Sequence, residues 1–220
     1  TCQATISKIE TAKAENLSFQ NSQMNQTNQW TKIESLPDYW DQRWPDYHGE
    51  VWYKLSWNYD CSSQNIEPVS LFVENINMAG KIYINDEFFW SDLSTQEPLS
   101  RSWFMPRYWV IPSSAIKKGE NTLIFQVFGT ASQKSGLGNV ELGHYEQVIQ
   151  SYDTAMIEKR ILPSLNLMIN FIICLFCFLA WALYPKEIDL FWFALVSFAW
   201  VAYVGLALYP EPILSFSSTT

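Results

Sequence analysis

The chain has 220 residues with 22 Asp or Glu against 14 Lys or Arg, so its formal net charge is −8 at pH 7. An acidic chain without a basic cluster is not expected to bind nucleic acid or an anionic surface. Its two histidines, His48 and His144, lie far apart, and its four cysteines do not have metal-site spacing. We therefore expect no metal and no other cofactor.

The first predicted segment, residues 1–28, is polar and rich in Gln, Asn, Ser and Lys. Its one apolar pair, Leu17 and Phe19, is too weak to define a core face. We interpret this segment as flexible, or at most as an edge segment.

Residues 29–150 have the alternation of half-buried strands. Apolar side chains recur at every second position in four runs, 51–59, 69–73, 82–84 and 123–127, and turn signals separate the runs. No helical pattern intervenes, so we predict a mainly β fold, an antiparallel jelly-roll sandwich. The side chains predicted to point into its core are Val51, Tyr53, Leu55, Trp57, Leu71, Val73, Ile82, Ile84, Leu123, Phe125 and Val127.

Residues 151–163 are predicted to form a connecting helix. Asp153 or Thr154 would cap its start, and Pro163 would end or kink it before the next segment.

Residues 164–210 hold two charge-free apolar stretches, 165–184 and 190–209, joined by a short turn. A helix of 20 residues is about 30 Å long, which matches the hydrocarbon core of a bilayer. A pair of buried helices in a soluble core is the alternative, but such helices would need a polar face that these stretches lack. We predict a transmembrane α-helical hairpin embedded in the lipid bilayer. We interpret residues 211–220 as a loop, and expect the chain to continue into further helices.

Charge and composition favour opposite sides of the membrane for the N-terminal domain. Lys159 and Arg160 before the first span outnumber Lys186 in the turn, which weakly favours a cytoplasmic N-terminal domain. The β pattern and a disulfide between Cys2 and Cys61 would favour an oxidising compartment, but two free thiols are the open alternative.

Several short motifs resemble a known family. These are LPDYW at 36–40, GEVWYKL at 49–55, VSLFV at 69–73, AGKIYIN at 79–85 and KGENTLIFQV at 118–127. They resemble the galactose-binding-like jelly rolls of two groups. One is the sugar-binding domain of β-galactosidases and β-glucuronidases. The other is the periplasmic sensor domain of bacterial seven-transmembrane receptors that carry a diguanylate cyclase or histidine kinase. The chain departs from the pattern at Asn85-Asp86, where the family usually has Asn-Gly, so Asp86 would need a positive φ.

The two predicted spans favour the receptor group. The resemblance then implies a periplasmic ligand-sensing domain and the first transmembrane helices of a signal-transduction receptor in the bacterial inner membrane. Its output would be a cytoplasmic diguanylate cyclase. Its partners would be a small molecule, a glycan or a periplasmic protein, and a homodimer is compatible with this interpretation. The alternative is a membrane-tethered carbohydrate-binding or envelope-assembly module.

The residues shown contain no recognisable catalytic pattern. No two acids are marked as a glycosidase pair, and no serine has a nucleophile-elbow context. We therefore expect no enzyme activity within residues 1–220.

Binding residues are predicted from aromatic and cationic side chains near loops. Trp44, Trp90, Arg101 and Trp103 are the candidates, because stacked rings and a guanidinium are typical of small-ligand sites. Each has a simpler alternative, which is core packing for the tryptophans and a surface ion pair with Glu97 for Arg101.

Overall fold

The computed structural model describes residues 2–14, 30–61, 67–96, 98–131 and 134–209. Within them the strands are β1 (Gln3–Lys13), β2 (Thr31–Lys32), β3 (Asp38–Tyr39), β4 (Gly49–Asp60), β5 (Val69–Val73), β6 (Ile76–Asn77), β7 (Ala79–Ile84), β8 (Glu87–Ser91), β9 (Arg107–Ile111), β10 (Gly119–Gly129), β11 (Gly136–Leu137) and β12 (Val140–Gly143). The helices are α1 (Tyr145–Met156), a π-helical turn (Ile157–Ile161), α2 (Leu162–Leu183) and α3 (Ile188–Leu208).

All described strand pairs are antiparallel. The largest sheet has the order β2-β1-β4-β10-β7-β8, and two three-stranded sheets have the orders β3-β11-β6 and β12-β5-β9. The long central strands β4 and β10 pair over all of β10 and all but the last residue of β4, from Gly49 opposite Gly129 to Tyr59 opposite Gly119. Mainly antiparallel β structure followed by helices is therefore confirmed.

One hydrophobic cluster lies among these sheets and draws side chains from β4 and β10 as well as from β5, β9 and β12. The eleven side chains predicted to point inward all belong to it, and each is at most 2% exposed. Period-2 alternation therefore predicted the core register of the main strands correctly.

Residues 3–13 of the N-terminal segment form strand β1 of the six-stranded sheet and not a flexible segment. Only Glu10 and Thr11 pair with the short strand β2, so most of β1 forms an edge, and residues 15–28 of the predicted segment lie outside the described residues. A register shift between Ile6 and Lys8 marks a β-bulge. The bulge moves the inward-facing positions from even to odd numbers, so Ala4 and Ile6 are followed by Ile9. A simple period of 2 therefore does not reveal this strand.

The hairpin turn after β7 has the backbone conformation that the sequence predicts. Asn85 and Asp86 both have positive φ, 50° and 70°, so this hairpin turn takes the left-handed conformation expected of Asn-Gly although Asp86 replaces the glycine.

Cys2 and Cys61 form a disulfide that links β1 to the end of β4. The bond joins residues 59 positions apart in the sequence.

The connecting helix begins at Tyr145 rather than at Asp153 or Thr154, and it does not end at Pro163. Pro163 lies in the first turn of α2, directly after the π-helical turn. Proline lacks an N–H and its ring collides with the carbonyl four residues earlier, so the wider turn accommodates it without breaking the helix. One continuous helix therefore runs from residue 145 to residue 183.

Helices α2 and α3 pack as an antiparallel hairpin. Trp181 and Phe191 have ring centroids 4.9 Å apart near the turn, and the Cys174 thiol donates to the Ala194 carbonyl at 3.3 Å. The two helices, 145–183 and 188–208, are long and apolar enough to cross a membrane. In the most apolar 18-residue segment of each, only 6% and 11%, respectively, is buried. A core helix of a soluble protein would be mostly buried, so this hairpin fits a membrane.

Candidate ligand-binding cleft

A cleft of about 360 Å³ opens where the segment after β8, strand β9 and helix α1 meet. It combines aromatic rings with one acid and one base. Its lining residues are Trp90, Asp92, Leu93, Ser102, Met105, Pro106, Arg107, Tyr108, Trp109 and Tyr152.

A buried ion pair forms the polar part of the cleft. The Nη2 of Arg107 donates to Oδ1 of Asp92 at 2.6 Å, and the two side chains are only 6% and 8% exposed. Asp92 accepts two more hydrogen bonds, from the Ser102 hydroxyl at 3.0 Å and from the Gly80 N–H at 2.8 Å. Its own N–H donates to the Gly80 carbonyl at 2.9 Å. Both oxygens of the carboxylate are therefore occupied and held in place.

Arg107 is less completely satisfied than its partner. Its Nη1 is buried and has no hydrogen-bond partner among the described residues. Leaving a buried donor unpaired costs about 1 to 3 kcal/mol, and more when the group is charged. Burial lowers the pKa of Arg107, and the attraction and hydrogen bond of Asp92 offset this only in part. The guanidinium therefore has capacity for another acceptor.

Aromatic side chains form two sides of the cleft. The Trp90 and Trp109 rings lie 5.0 Å apart with planes tilted by 58°, and the Arg107 guanidinium carbon is 4.8 Å from the Trp90 centroid. On the other side, the rings of Tyr108 and Tyr152 lie 5.7 Å apart. Tyr152 belongs to α1, so the helix that leads to the apolar hairpin also forms part of the cleft wall.

The predicted binding residues are not gathered in one place. Trp90 lines the cleft. Trp103 follows the cleft residue Ser102 in the chain, but it packs on the cluster of Met78, Leu99 and Phe128. Its indole N–H points to the Met78 sulfur at 3.2 Å. Arg101 is partly buried and does not line the cleft, and Glu97, its expected alternative partner, lies outside the described residues.

Trp44 lies in a separate cluster near β3. Arg43 binds Asp38 through two hydrogen bonds of 2.5 and 2.6 Å, and its guanidinium carbon is 5.1 Å from the Trp44 centroid. Lys13 of β1 also lies over the Trp44 ring, with its Nζ 5.2 Å from the centroid. Trp44 is partly buried, packs against the core and has both cations near its ring, and it does not line the cleft around Arg107.

Sequence reasoning missed the importance of Arg107 and Asp92. A signal was present, because Arg107, Trp109 and Ile111 share one face of β9 by the strand period, and Ile111 is fully buried. A charged residue on the same strand face as core residues is expected to be buried, and a buried charge needs a partner of opposite charge. Asp92, by contrast, lies in a loop whose path cannot be read from any pattern.

One group among the described residues has ligand atoms close enough together to hold a metal ion. Cys2, Cys61 and Glu67 place their ligand atoms close together, but the two cysteines are joined in a disulfide. A disulfide sulfur lacks the thiolate that binds a metal ion. This group therefore does not suit a metal in its oxidised form.

Comparisons with known proteins give a similarity at the level of solved structures only. No protein family matches the sequence, and no curated protein matches it. The β-glucuronidase of Ruminococcus gnavus is similar over 58% of this chain and 21% of its own, with 16% identity and a TM-score of 0.44. A glycosyl hydrolase family 2 member from Bacteroides cellulosilyticus is similar over 64% of this chain and 20% of its own, with 16% identity and a TM-score of 0.47. The chain thus spans about a fifth of the length of these enzymes, and the values are too low to bear on activity, substrate or partner.

Proposed function

We propose that this chain is the ligand-sensing domain and first membrane hairpin of a bacterial signal-transduction receptor. In this proposal the β domain is a galactose-binding-like jelly roll on the periplasmic side of the inner membrane. A ligand occupies the cleft around Arg107, and the helices pass the signal to a cytoplasmic effector such as a diguanylate cyclase.

The observation that carries the proposal is the position of Tyr152. Its ring lines the cleft, and it lies on a helix that continues without interruption into α2. The same helix is docked on the sheet by Val148 and Ala155, which are buried against Phe72. A ligand that changes the position of Tyr152 would therefore act directly on the helix that enters the membrane.

The turn between the domain and the hairpin supports the same function. Lys159 forms an ion pair with Glu74 at 2.6 Å, which ties the π-helical turn to the segment after β5. Its neighbour Arg160 donates to the Leu208 carbonyl at the end of α3, where a cation is favoured by the helix dipole. Two consecutive residues thus connect the β domain with both helices of the hairpin. π-Helical turns inside α-helices are frequently found at functional sites.

The chemistry of the cleft favours binding over catalysis. Asp92 is the one carboxylate among the described lining residues, and its oxygens are taken by Arg107, Ser102 and Gly80. General acid–base hydrolysis of a glycoside requires a second carboxylate across the cleft. A membrane-tethered carbohydrate-binding module is the second candidate, because the neighbouring rings of Trp90 and Trp109 offer a stacking surface.

Hydrogen exchange on the full chain in lipid nanodiscs separates these two functions. A pool of monosaccharides, amino acids and small organic acids is first screened by tryptophan fluorescence. For a sensor, we expect the bound pool member to slow amide exchange in residues 145–161 as well as at the cleft. Tyr152→Ala should remove the effect on the helix, whereas Asp153→Ala, an exposed neighbour, should not. Protection confined to the cleft would support the binding module instead.

The ion pair between Glu74 and Lys159 is expected to make the stability of the folded chain depend on pH. Burial alone would raise the pKa of Glu74, but hydrogen bonds from Lys159 and Asn139 outweigh it and hold the pKa below the ordinary value of 4.5. Since the folded pKa is lower than the unfolded one, ionised Glu74 stabilises the folded chain above about pH 4.5, and this contribution is lost as the pH falls through the lowered pKa.

The measurement is the melting midpoint of the unaltered chain and of Glu74→Gln between about pH 7 and pH 3. We expect the unaltered chain to melt higher at neutral pH and the two midpoints to converge in acid. A difference that stays constant over this range would show that Glu74 does not stabilise through its charge.

A further inference from the structure

Resting on the function proposed above, we propose that the cleft ligand is a small organic carboxylate that also carries a ring. Arg107 would bind the carboxylate, and Trp90 and Trp109 would pack against the ring.

The charges in the cleft favour an anion. Arg107 and Asp92 are the charged residues among its described lining, and they are not equally satisfied. Asp92 already accepts three hydrogen bonds, so it has little remaining capacity for a cationic ligand. The Arg107 Nη1, in contrast, is a buried donor that has no partner among the described residues, and a shift of the side chain that admits an anionic oxygen would satisfy it without breaking the existing pair.

Burial explains why a charged acceptor is preferred to a neutral one. A guanidinium out of water is poorly stabilised by one carboxylate, and the lowered pKa of Arg107 reflects this deficit. A hydroxyl or amide oxygen would satisfy the hydrogen bond only. A carboxylate would satisfy the hydrogen bond and also supply negative charge where it is lacking.

The aromatic walls and the volume define the remainder of the ligand. Trp90 and Trp109 are both partly exposed, and their rings, 5.0 Å apart, present flat apolar surface beside the guanidinium. A cleft of about 360 Å³ is at the lower end of the range for small-molecule pockets. One ring with a carboxylate matches this size better than a chain of several sugars.

Four probes test the inference on the unaltered full chain in phosphatidylcholine nanodiscs. Benzoate has both groups, benzamide keeps the ring without the charge, benzylamine reverses the charge, and acetate lacks the ring. We expect benzoate to bind about 10- to 100-fold more tightly than benzamide, as measured by calorimetry, because a charge-assisted hydrogen bond is replaced by a neutral one. Acetate and benzylamine should bind more weakly than benzoate.

Variants then assign the contact. Arg107→Lys keeps the positive charge beside Asp92 but loses the planar fork, and we expect it to weaken benzoate binding by about tenfold or more. Arg101→Lys, on the neighbouring loop, is the matched control and should bind as the unaltered chain does. If near-ultraviolet circular dichroism shows that Arg107→Lys is unfolded, the comparison of the four probes in the unaltered chain tests whether the cleft prefers a carboxylate.

The outcomes separate this inference from the proposed function. If benzamide binds as tightly as benzoate and Trp109→Ala weakens both, the carboxylate class is wrong, but the cleft remains the binding site. Failure of benzoate to bind, or undiminished binding by folded Arg107→Lys, also overturns the carboxylate class. The sensing function is then judged separately, by hydrogen exchange with the wider pool.

Discussion

Replacing Asp92 by alanine is expected to destabilise the β domain by about 3 to 5 kcal/mol, because it leaves the buried guanidinium of Arg107 without its counter-ion. The same substitution removes the acceptor of the Ser102 hydroxyl and of the Gly80 N–H. Urea unfolding of the detergent-solubilised full chain, followed by tryptophan fluorescence, measures the change.

Two controls identify the cause of this loss. The joint replacement Asp92→Leu with Arg107→Met removes both charges and should recover much of the lost stability, since a buried ion pair rarely exceeds an apolar replacement. Lys8→Ala breaks an ion pair with Glu10 in which Lys8 is half exposed, and should cost no more than about 1 kcal/mol. If Asp92→Ala costs no more than Lys8→Ala, the pair is not buried as described.

Truncating the central core is expected to have an effect of similar size. Leu55 and Phe125 lie on paired strands β4 and β10, and neither is exposed. Leu55→Ala should cost about 2 to 5 kcal/mol and Phe125→Ala about 3 to 5 kcal/mol, because each change removes apolar contacts and leaves a cavity. The same unfolding experiment applies.

Val110→Ala is the matched control for the core substitutions. Val110 also lies within a strand, but it is 52% exposed, so its truncation should change the stability by less than about 0.5 kcal/mol. Equal losses for Val110→Ala and Leu55→Ala would mean that the register of β4 is wrong.

The success of the core prediction has a simple physical reason. Along the long strands β4 and β10, the face that packs into the main core carries an apolar residue at every second position, although part of the opposite face is buried as well. The apolar hairpin was predictable for a different reason, because each span is an uninterrupted apolar run, and the predicted spans 165–184 and 190–209 correspond closely to Leu162–Leu183 and Ile188–Leu208. Local pattern is sufficient wherever a periodicity or an apolar run continues without interruption.

The missed features all depend on interruptions or on distant partners. Strand β1 was interpreted as a polar segment because the bulge after Ile6 changes the phase of its apolar residues. The start of α1 at Tyr145 is not evident from the sequence because the cap residue, His144, is not one of the types that mark helix starts, and it makes no side-chain capping hydrogen bond. The Arg107–Asp92 pair joins β9 to a loop residue 15 positions away, and no local pattern specifies that contact.

In the proposed function, occupation of the cleft moves the apolar hairpin through α1. This movement is tested most directly by Förster transfer between labels at Glu120, exposed on β10, and Lys186, exposed in the turn between α2 and α3. Cys174 and Cys177 are replaced by serine, and the ligand is benzoate or whichever member of the pool binds most tightly. We expect a change in transfer efficiency that saturates with the binding curve and that disappears in Tyr152→Ala when the two proteins are compared at the same occupancy of the cleft. An efficiency that stays constant at full occupancy of the cleft would contradict it.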